Sequence, residues 1–322
     1  MYGEMMSYYG LIKDLNKADY FETDGYKKTL NNIKMAIKSG GIIALTGLIG
    51  SGKTTALRRT QKAIREENKI AISKSLSTDK RRVTINTLYT ALFADLATEK
   101  DFKIPTQPEK RERKLQELIK KVHKPVAMFI DEAHELNWRT LIGLKHLIET
   151  VEDANGTLAI IIAGHPMLGN ELRKPTLEEV GARTKLFTLD GLGAHKRQYI
   201  EWVLDNCSKD KIKAHDIFTL EAIDLFSEHL ITPLQMTHYL SQALEKGLQA
   251  GEKPIGTDIA KTVLAPDLNS IEPKLARHGY NISVLCELLN ARPSEVKSYL
   301  RDQLASGRAE EFNKEIHKIG VL

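Results

Sequence analysis

One stretch of this chain narrows its fold more than any other. Ile42–Thr46 is a short, mainly apolar run that reads as a buried parallel strand, and it leads straight into Gly47-Leu48-Ile49-Gly50-Ser51-Gly52-Lys53-Thr54-Thr55. A helix-compatible segment follows from about Lys53 to Glu67. Strand, glycine-rich turn and helix in this order make a phosphate cradle: the glycines let backbone N–H groups turn inward, and the helix N-terminus adds positive potential. Lys53 is placed to reach the β and γ phosphates, and the Thr54 hydroxyl to join a Mg²⁺ shell. The expected ligands are therefore ATP and Mg²⁺, with Gly47, Gly50, Ser51, Gly52, Lys53, Thr54 and Thr55 as the contacts. The competing explanation is a glycine turn that happens to contain Lys-Thr.

The alternation continues on both sides of this turn. A helix running from Asp24 to about Ser39 precedes it, with Leu30, Ile33 and Ile37 on one face and Gly40-Gly41 as the stop. After it come a strand Ile70–Ser73, a helix Ile85–Ala97, a helix from Glu109 to His123 and a strand Pro125–Ile130. A helix carrying Leu141, Leu144, Ile148 and Val151, a strand Leu158–Ala163 and a strand Lys185–Leu189 complete the pattern. Alternation of this kind predicts an α/β fold, a parallel sheet covered on both faces.

Beyond Gly191 only helical signals remain, at Tyr199–Leu204, Leu220–Leu230, Pro233–Leu248 and Thr257–Leu264. Pro266–Lys274, with two prolines, reads as a linker. The tail then offers helices Ser283–Leu289 and Ser294–Leu304 around a break at Asn290–Pro293, and a third helix ending at Lys318. The expected organisation is a nucleotide-binding domain over 1–190 with an N-terminal extension, an all-helical lid over 191–265, and a linker with a small helix-turn-helix-like domain over 266–322. A chain of 322 residues with 42% hydrophobic content has material for two or three such units.

Val126-Ala127-Met128-Phe129-Ile130-Asp131-Glu132 supplies the partner that the glycine-rich turn needs. An apolar strand ends there in two acids at the carboxyl edge of the sheet, where ligands of such sheets gather. Asp131 is expected in the Mg²⁺ shell and Glu132 as the general base that polarises water. The plainer alternative is a pair of acids capping the next helix. Asp131-Glu132-Ala133-His134 also spells a helicase box, but such helicases need a second sheet domain and nothing after Gly191 reads as a sheet. Ring-forming ATPases further need a sensor at a neighbouring strand end and an arginine supplied from the next subunit. His165, in Gly164-His165-Pro166 after the strand Leu158–Ala163, is the sensor candidate, and Arg183 is the arginine candidate with Arg173 second. Arg183 in a surface salt bridge is the competing reading.

Lys and Arg exceed Asp and Glu by 47 to 42, a formal charge of +5 that permits nucleic-acid binding without requiring it. Charge placement is more telling. Lys74-Ser75-Leu76-Ser77-Thr78-Asp79-Lys80-Arg81-Arg82 combines hydroxyls with adjacent cations and suits salt-dependent phosphate contacts by Lys74, Lys80, Arg81 and Arg82. A solvated charge cluster is the alternative. In the tail, Lys297 and Arg301 stand one turn apart on the second helix of a helix-turn-helix-like spacing, with Val296, Leu300 and Leu304 facing the core. A protein-docking module is the rival there. Cys207 and Cys286 belong to no metal-binding or disulfide pattern, no apolar run approaches a membrane span, and Met1–Gly10 lacks a signal-peptide layout, so a cytoplasmic protein is expected.

Residues from about Ala36 to Ala265 resemble the ExeA-type AAA+ ATPases, through Gly47–Thr55, Phe129–His134, Ile160–Leu168, Gly181-Ala182-Arg183, Leu189–Leu192 and Phe218–Ala222. The resemblance covers about two thirds of the chain. It implies an AAA+ module of sheet domain and helical lid, and includes soluble helper ATPases of transposons, similar in role to the TnsC, MuB and IstB proteins. In such ATPases the region equivalent to Lys74–Arg82 faces DNA threaded through a ring. The implied function is ATP-dependent assembly on duplex DNA as a homo-oligomeric ring or filament that recruits or activates a transposase, with a target-selection protein as a further partner. The alternative is a cytoplasmic ATPase of a secretion or envelope assembly acting through protein contacts, and a third reading is a nucleotide switch with little turnover. Two departures stand out: His165 replaces the family's glutamine, and Pro233-Leu234 replaces its proline-arginine step in the lid.

Overall fold

The structure is a computed structural model that describes residues 2–74, 83–97, 104–268, 271–300 and 303–319. It divides into two compact units. The first comprises Asp24–Gly47 and Gly52–Leu189, the second Met1–Thr23, Leu48–Ser51 and Asp190–Leu322.

The first unit is built on five parallel strands, β1 Gly41–Gly47, β2 Ala71–Lys74, β3 Val126–Ile130, β4 Leu158–Gly164 and β5 Thr184–Leu189, in the order β2-β3-β4-β1-β5. Each lies within about a residue of its sequence expectation. A parallel strand covered on both faces needs a nearly continuous apolar run, and β3 and β4 are buried at every position. β5, on the sheet edge, is largely exposed and buries only Leu189.

Successive strand residues point to opposite faces, so each strand serves two cores. One face sends Ile42, Met128, Ile130, Ile160 and Ile162 against Leu88, Leu92, Phe93, Leu115, Leu144 and Val151, which come from the helices Ile85–Leu96, Pro108–Val122 and Trp138–Glu152. The other face is covered by the helices Asp24–Ser39 and Lys53–Glu67, which bury Ile33, Ile37, Leu57 and Ile64. At about 25 cal/mol per Å², each fully buried Ile or Leu contributes roughly 1.5–3 kcal/mol, and this two-sided burial holds the strand ends in register. Thr46 pairs with Gly164 across β1 and β4, and Ile130 with Ile162 across β3 and β4. The residues that follow β3 and β4 therefore leave the sheet at one carboxyl edge.

The second unit is helical and its core runs through Tyr199, Ile200, Val203, Phe218, Phe226, Met236, Leu240 and Leu244. The helices Lys196–Cys207, Leu220–His229, Pro233–Ala250 and Thr257–Leu268 match the sequence reading closely. Two expectations are corrected. The N-terminal extension, assigned to the nucleotide-binding domain, groups instead with the helical unit: its helix Tyr2–Tyr9 and the turn after it bury Met5, Tyr9, Leu11 and Leu15 in that unit's core. The Tyr9 hydroxyl donates to the Glu252 carbonyl at 3.0 Å, and the Ile12 N–H donates to the Cys207 carbonyl at 2.8 Å.

The second correction is the linker Pro266–Lys274, most of which is helical in the described residues, within Thr257–Leu268 and Ile271–Arg277. Pro273 sits in a first turn, whose N–H groups have no intrahelical partner, so its missing donor is tolerated there. The tail helices Ile282–Leu288, Pro293–Leu300 and Ser306–Lys318 bury Leu285, Val296, Tyr299, Leu300, Phe312 and Ile316, with the Tyr299 and Phe312 rings edge to face at 5.3 Å. Leu304 is half-buried. No helix among the described residues is long and apolar enough to cross a membrane.

Candidate functional site

At the carboxyl edge of the sheet, β1 runs through Gly47 into the glycine-rich loop, and the chain re-enters the first unit at Gly52 with φ +96°, a left-handed conformation that suits glycine. The helix Lys53–Glu67 starts there. Lys53 is only 6% exposed, and its Nζ donates to the Gly47 carbonyl at 2.8 Å. Burial holds its ammonium below the usual lysine range, against the opposing pull of the Glu132 and Asp131 carboxylates.

One residue on, the Thr54 hydroxyl donates to Asp131 Oδ2 at 2.8 Å. Adjacent ligands of an octahedral Mg²⁺ at 2.0–2.1 Å stand about 2.9 Å apart, so these two oxygens already have the spacing of neighbouring positions in that shell. The other Asp131 oxygen accepts from the Glu132 N–H at 2.9 Å, which fixes the carboxylate's rotation. Spacing and charge fit a nucleoside triphosphate with its Mg²⁺.

Glu132 adopts φ 54° and ψ 39°, the left-handed region that costs a non-glycine residue roughly 1–2 kcal/mol. The turn carries the chain off β3 into the short 3₁₀ segment Ala133–Glu135 and leaves the Glu132 side chain 48% exposed. Glu132 Oε2 lies 3.4 Å from His134 Nδ1 and 4.0 Å from His165 Nε2. The two imidazole rings are tilted by 47° to one another with centroids 3.8 Å apart. Burial, followed by the His134 and Lys53 neighbours, pushes His165 down to about 3, and burial also lowers His134. Both rings are neutral near pH 7.

The structure thus gathers Lys53, Thr54, Asp131, Glu132 and His165, all named from sequence, and adds His134, which sequence reasoning treated only as a letter of the helicase box. It joins the site because β3 and β4 are neighbours, so that His134, four residues past the apolar run of β3, meets His165, two residues past that of β4. Gly164 makes the meeting possible, because a Cβ there would stand 3.2 Å from the His134 backbone nitrogen and 3.3 Å from its Nδ1.

The remaining candidates are placed as follows. Thr55 is half-buried in the first turn of its helix, and Gly50, with φ +78°, and Ser51 lie in the loop Leu48–Ser51. Arg183, 62% exposed, pairs with Glu149 at 3.0 Å. Lys74 ends β2, where its N–H and the Ser73 hydroxyl both donate to Asp95 Oδ2 at 2.8 Å. Lys80, Arg81 and Arg82 lie outside the described residues, as does Arg301, whereas Lys297 is exposed on the helix Pro293–Leu300.

A strand-loop-helix cradle facing a paired Thr and Asp on a five-stranded sheet of order β2-β3-β4-β1-β5 decides the fold. Residues 36–172 match the family model described as AAA domain. The parallel sheet with its helical C-terminal region matches a P-loop AAA+ domain in fold. Solved structures agree. Cdc6p from Pyrobaculum aerophilum is 15% identical over 97% of this chain and 86% of that chain, with a TM-score of 0.55. The ORC2 protein of Aeropyrum pernix is 13% identical over 97% and 91%, with a TM-score of 0.52. A chain of Drosophila ORC, solved bound to DNA, is 13% identical over 99% and 79%, with a TM-score of 0.54. No curated protein sequence matches the chain. At these identities the likeness is one of fold.

Proposed function

We propose that this chain is an ATPase that assembles ATP-dependently on duplex DNA and regulates transposition by recruiting or activating a transposase. The observation that carries the enzymatic part is the 2.8 Å contact between Thr54 and Asp131 beside buried Lys53 and exposed Glu132. In this reading Lys53 leaves the Gly47 carbonyl for the β and γ phosphates, and Thr54 and Asp131 hold the metal. Bound Mg²⁺ supplies neutralisation of the phosphate charge. Glu132, projecting from the end of β3, orients the attacking water and accepts its proton, and the neutral His165 ring beside it reports the γ position as a sensor.

Arg183 is the proposed arginine acting in trans in a homo-oligomeric ring or filament. An exposed ion pair such as Arg183–Glu149 is worth under about 1 kcal/mol, so it exchanges readily for a stronger phosphate contact. For DNA, the support is the cation-rich stretch leading from Lys74 through Lys80, Arg81 and Arg82, the exposed Lys297, with Arg301 one turn on in sequence, and the fold shared with an ORC chain solved on DNA. The transposase and a target-selection partner rest on the family resemblance.

The test is ATPase rate and sedimentation with and without duplex DNA at low and high salt, comparing the native chain with Lys80, Arg81 and Arg82 changed together to Ala. ATP-dependent co-sedimentation that weakens with salt and with the triple substitution is expected. Absence of DNA binding at every salt concentration would sink the DNA assignment and leave the ATPase.

A further inference from the structure

Beside the Thr54–Asp131 pair lies a second set of donors, Glu132, His134 and His165, two of which the hydrolysis reading also uses. We propose that Glu132, His134 and His165 form a binding site for a zinc-class divalent transition metal, whose occupancy withdraws the Glu132 carboxylate and arrests hydrolysis. The first part stands on geometry alone. The arrest rests on the ATPase reading above.

One ligand atom from each of the three residues can be chosen so that all lie within 4.8 Å of one another. Tetrahedral zinc with bonds of 2.0–2.1 Å brings its ligands to about 3.4 Å, so the set closes by side-chain movements of roughly 1 Å. Glu132 has the freedom for most of that movement, being half exposed, whereas the rings are already in place with 11% and 13% of their side chains exposed. Two imidazoles and one carboxylate leave the fourth position open, the arrangement of zinc sites that take water or a substrate group. A hard ion such as Mg²⁺ prefers the oxygens of Thr54 and Asp131, while imidazole selects zinc and its neighbours, so the two sites discriminate by ligand chemistry.

The ring nitrogens give the second argument. His134 Nδ1 and His165 Nδ1 are both buried without a hydrogen-bond partner, a state that costs roughly 1–3 kcal/mol for each buried polar atom. His134 Nδ1 is also the atom that faces Glu132. His165 turns its Nε2 toward the same carboxylate, so a shared cation would use His134 Nδ1 together with His165 Nε2 and give the orphaned His134 nitrogen a partner. Charge favours the cation as well: the Glu135 and Asp131 carboxylates act on the His134 ring and Glu132 lies beside both rings, against the Lys53 ammonium.

The experiment uses the untagged full chain without nucleotide, titrated with Zn²⁺ against a chromophoric chelator and, in parallel, with Co²⁺ read by its visible d–d bands. Native protein is expected to bind one equivalent tightly. His134→Gln, His165→Gln and Glu132→Gln should each weaken zinc roughly tenfold or more and abolish the cobalt bands. His146→Gln, a surface histidine 3.4 Å from Glu149, should change nothing. Near-ultraviolet circular dichroism confirms that each variant is folded, and exposed Glu132 provides the variant least able to disturb the core. Equal affinity in native protein and all three ligand variants would overturn the site. The second arm adds zinc to the Mg²⁺·ATP reaction, where inhibition relieved by chelator is expected. Zinc that binds at this site without slowing turnover would overturn the arrest and leave the site standing. Absence of turnover without zinc would instead count against the ATPase reading.

Discussion

The two compact units bury cores of similar kind yet carry their chemistry very differently. In the sheet unit, polar groups of consequence follow directly on buried strands: Asp131 and Glu132 after β3, His165 after β4, Lys53 after the loop from β1. In the helical unit the buried side chains are almost all apolar, and its distinctive contacts join residues more than 190 positions apart, such as Tyr9 with Glu252 and Leu11 with Ser208. The difference teaches that a parallel sheet concentrates reactivity at one edge because every strand ends there, whereas a helical core spends its sequence on packing. Function and stability should therefore separate by unit under mutation.

The sharpest separation is expected at Glu132. Glu132→Gln removes the proposed general base while keeping the side chain's shape on an exposed position, and should lower ATP turnover by roughly 10²–10⁴-fold with the melting temperature unchanged. Turnover measured beside a thermal melt checks this. A variant that keeps near-native turnover would assign the base elsewhere and erase the contrast between the units.

The converse is expected at Tyr9. Its ring is wholly buried in the helical unit and its hydroxyl is bonded to the Glu252 carbonyl, so Tyr9→Ala should cost about 3–5 kcal/mol of stability in denaturant titration. An exposed, dispensable N-terminal extension would instead lose nothing.

These two sites also mark what was legible in the sequence. Strand positions were readable within about a residue because a strand buried on both faces must be an unbroken apolar run, as in Ala159–Ala163, with polar residues only at its ends. That Thr54 and Asp131 meet beside buried Lys53 was readable because strand, glycine-rich turn and helix preserve short local spacing. The N-terminal segment was not, since Met5, Tyr9 and Leu11 reveal their partners only through contacts about 200 residues distant. The helices around Pro266 and Pro273 were missed because proline was read as a breaker, although a first turn such as that of Pro273 admits it. His134 was missed for a third reason: its meaning arises from the pairing of β3 with β4, which no local pattern encodes.

A smaller effect should fall between the extremes. Gly164→Ala places a Cβ 3.0 Å from Leu168 Cδ2 and 3.2 Å from the His134 nitrogen, so one of them must yield. A cost of about 1–3 kcal/mol in stability is expected, together with weakened zinc binding as His134 moves from His165. Alone among these substitutions it should lower both readouts. Unchanged zinc binding would show that the His134 segment gives way without loss of the ring pair.

The smallest effect tests packing in the helical unit without altering the chain. Cys207 is fully buried at the end of the helix Lys196–Cys207, its thiol lies 3.6 Å from the Asp14 carbonyl, and its own carbonyl accepts from Ile12. Burial pushes the thiol up to about 11, so near pH 8 only about one molecule in a thousand carries the reactive thiolate there. Cys286, half-buried in the helix Ile282–Leu288, has no such covering from the N-terminal segment. Iodoacetamide should therefore label Cys286 roughly tenfold or more faster than Cys207, as peptide mass mapping over time would measure. Because the N-terminal segment lies across Cys207, its labelling reports local opening, and Tyr9→Ala should accelerate it while leaving Cys286 unchanged. Equal labelling of the two cysteines in the native chain would mean that the segment does not stay packed, and the long-range contacts that distinguish the helical unit would lose their stabilising role.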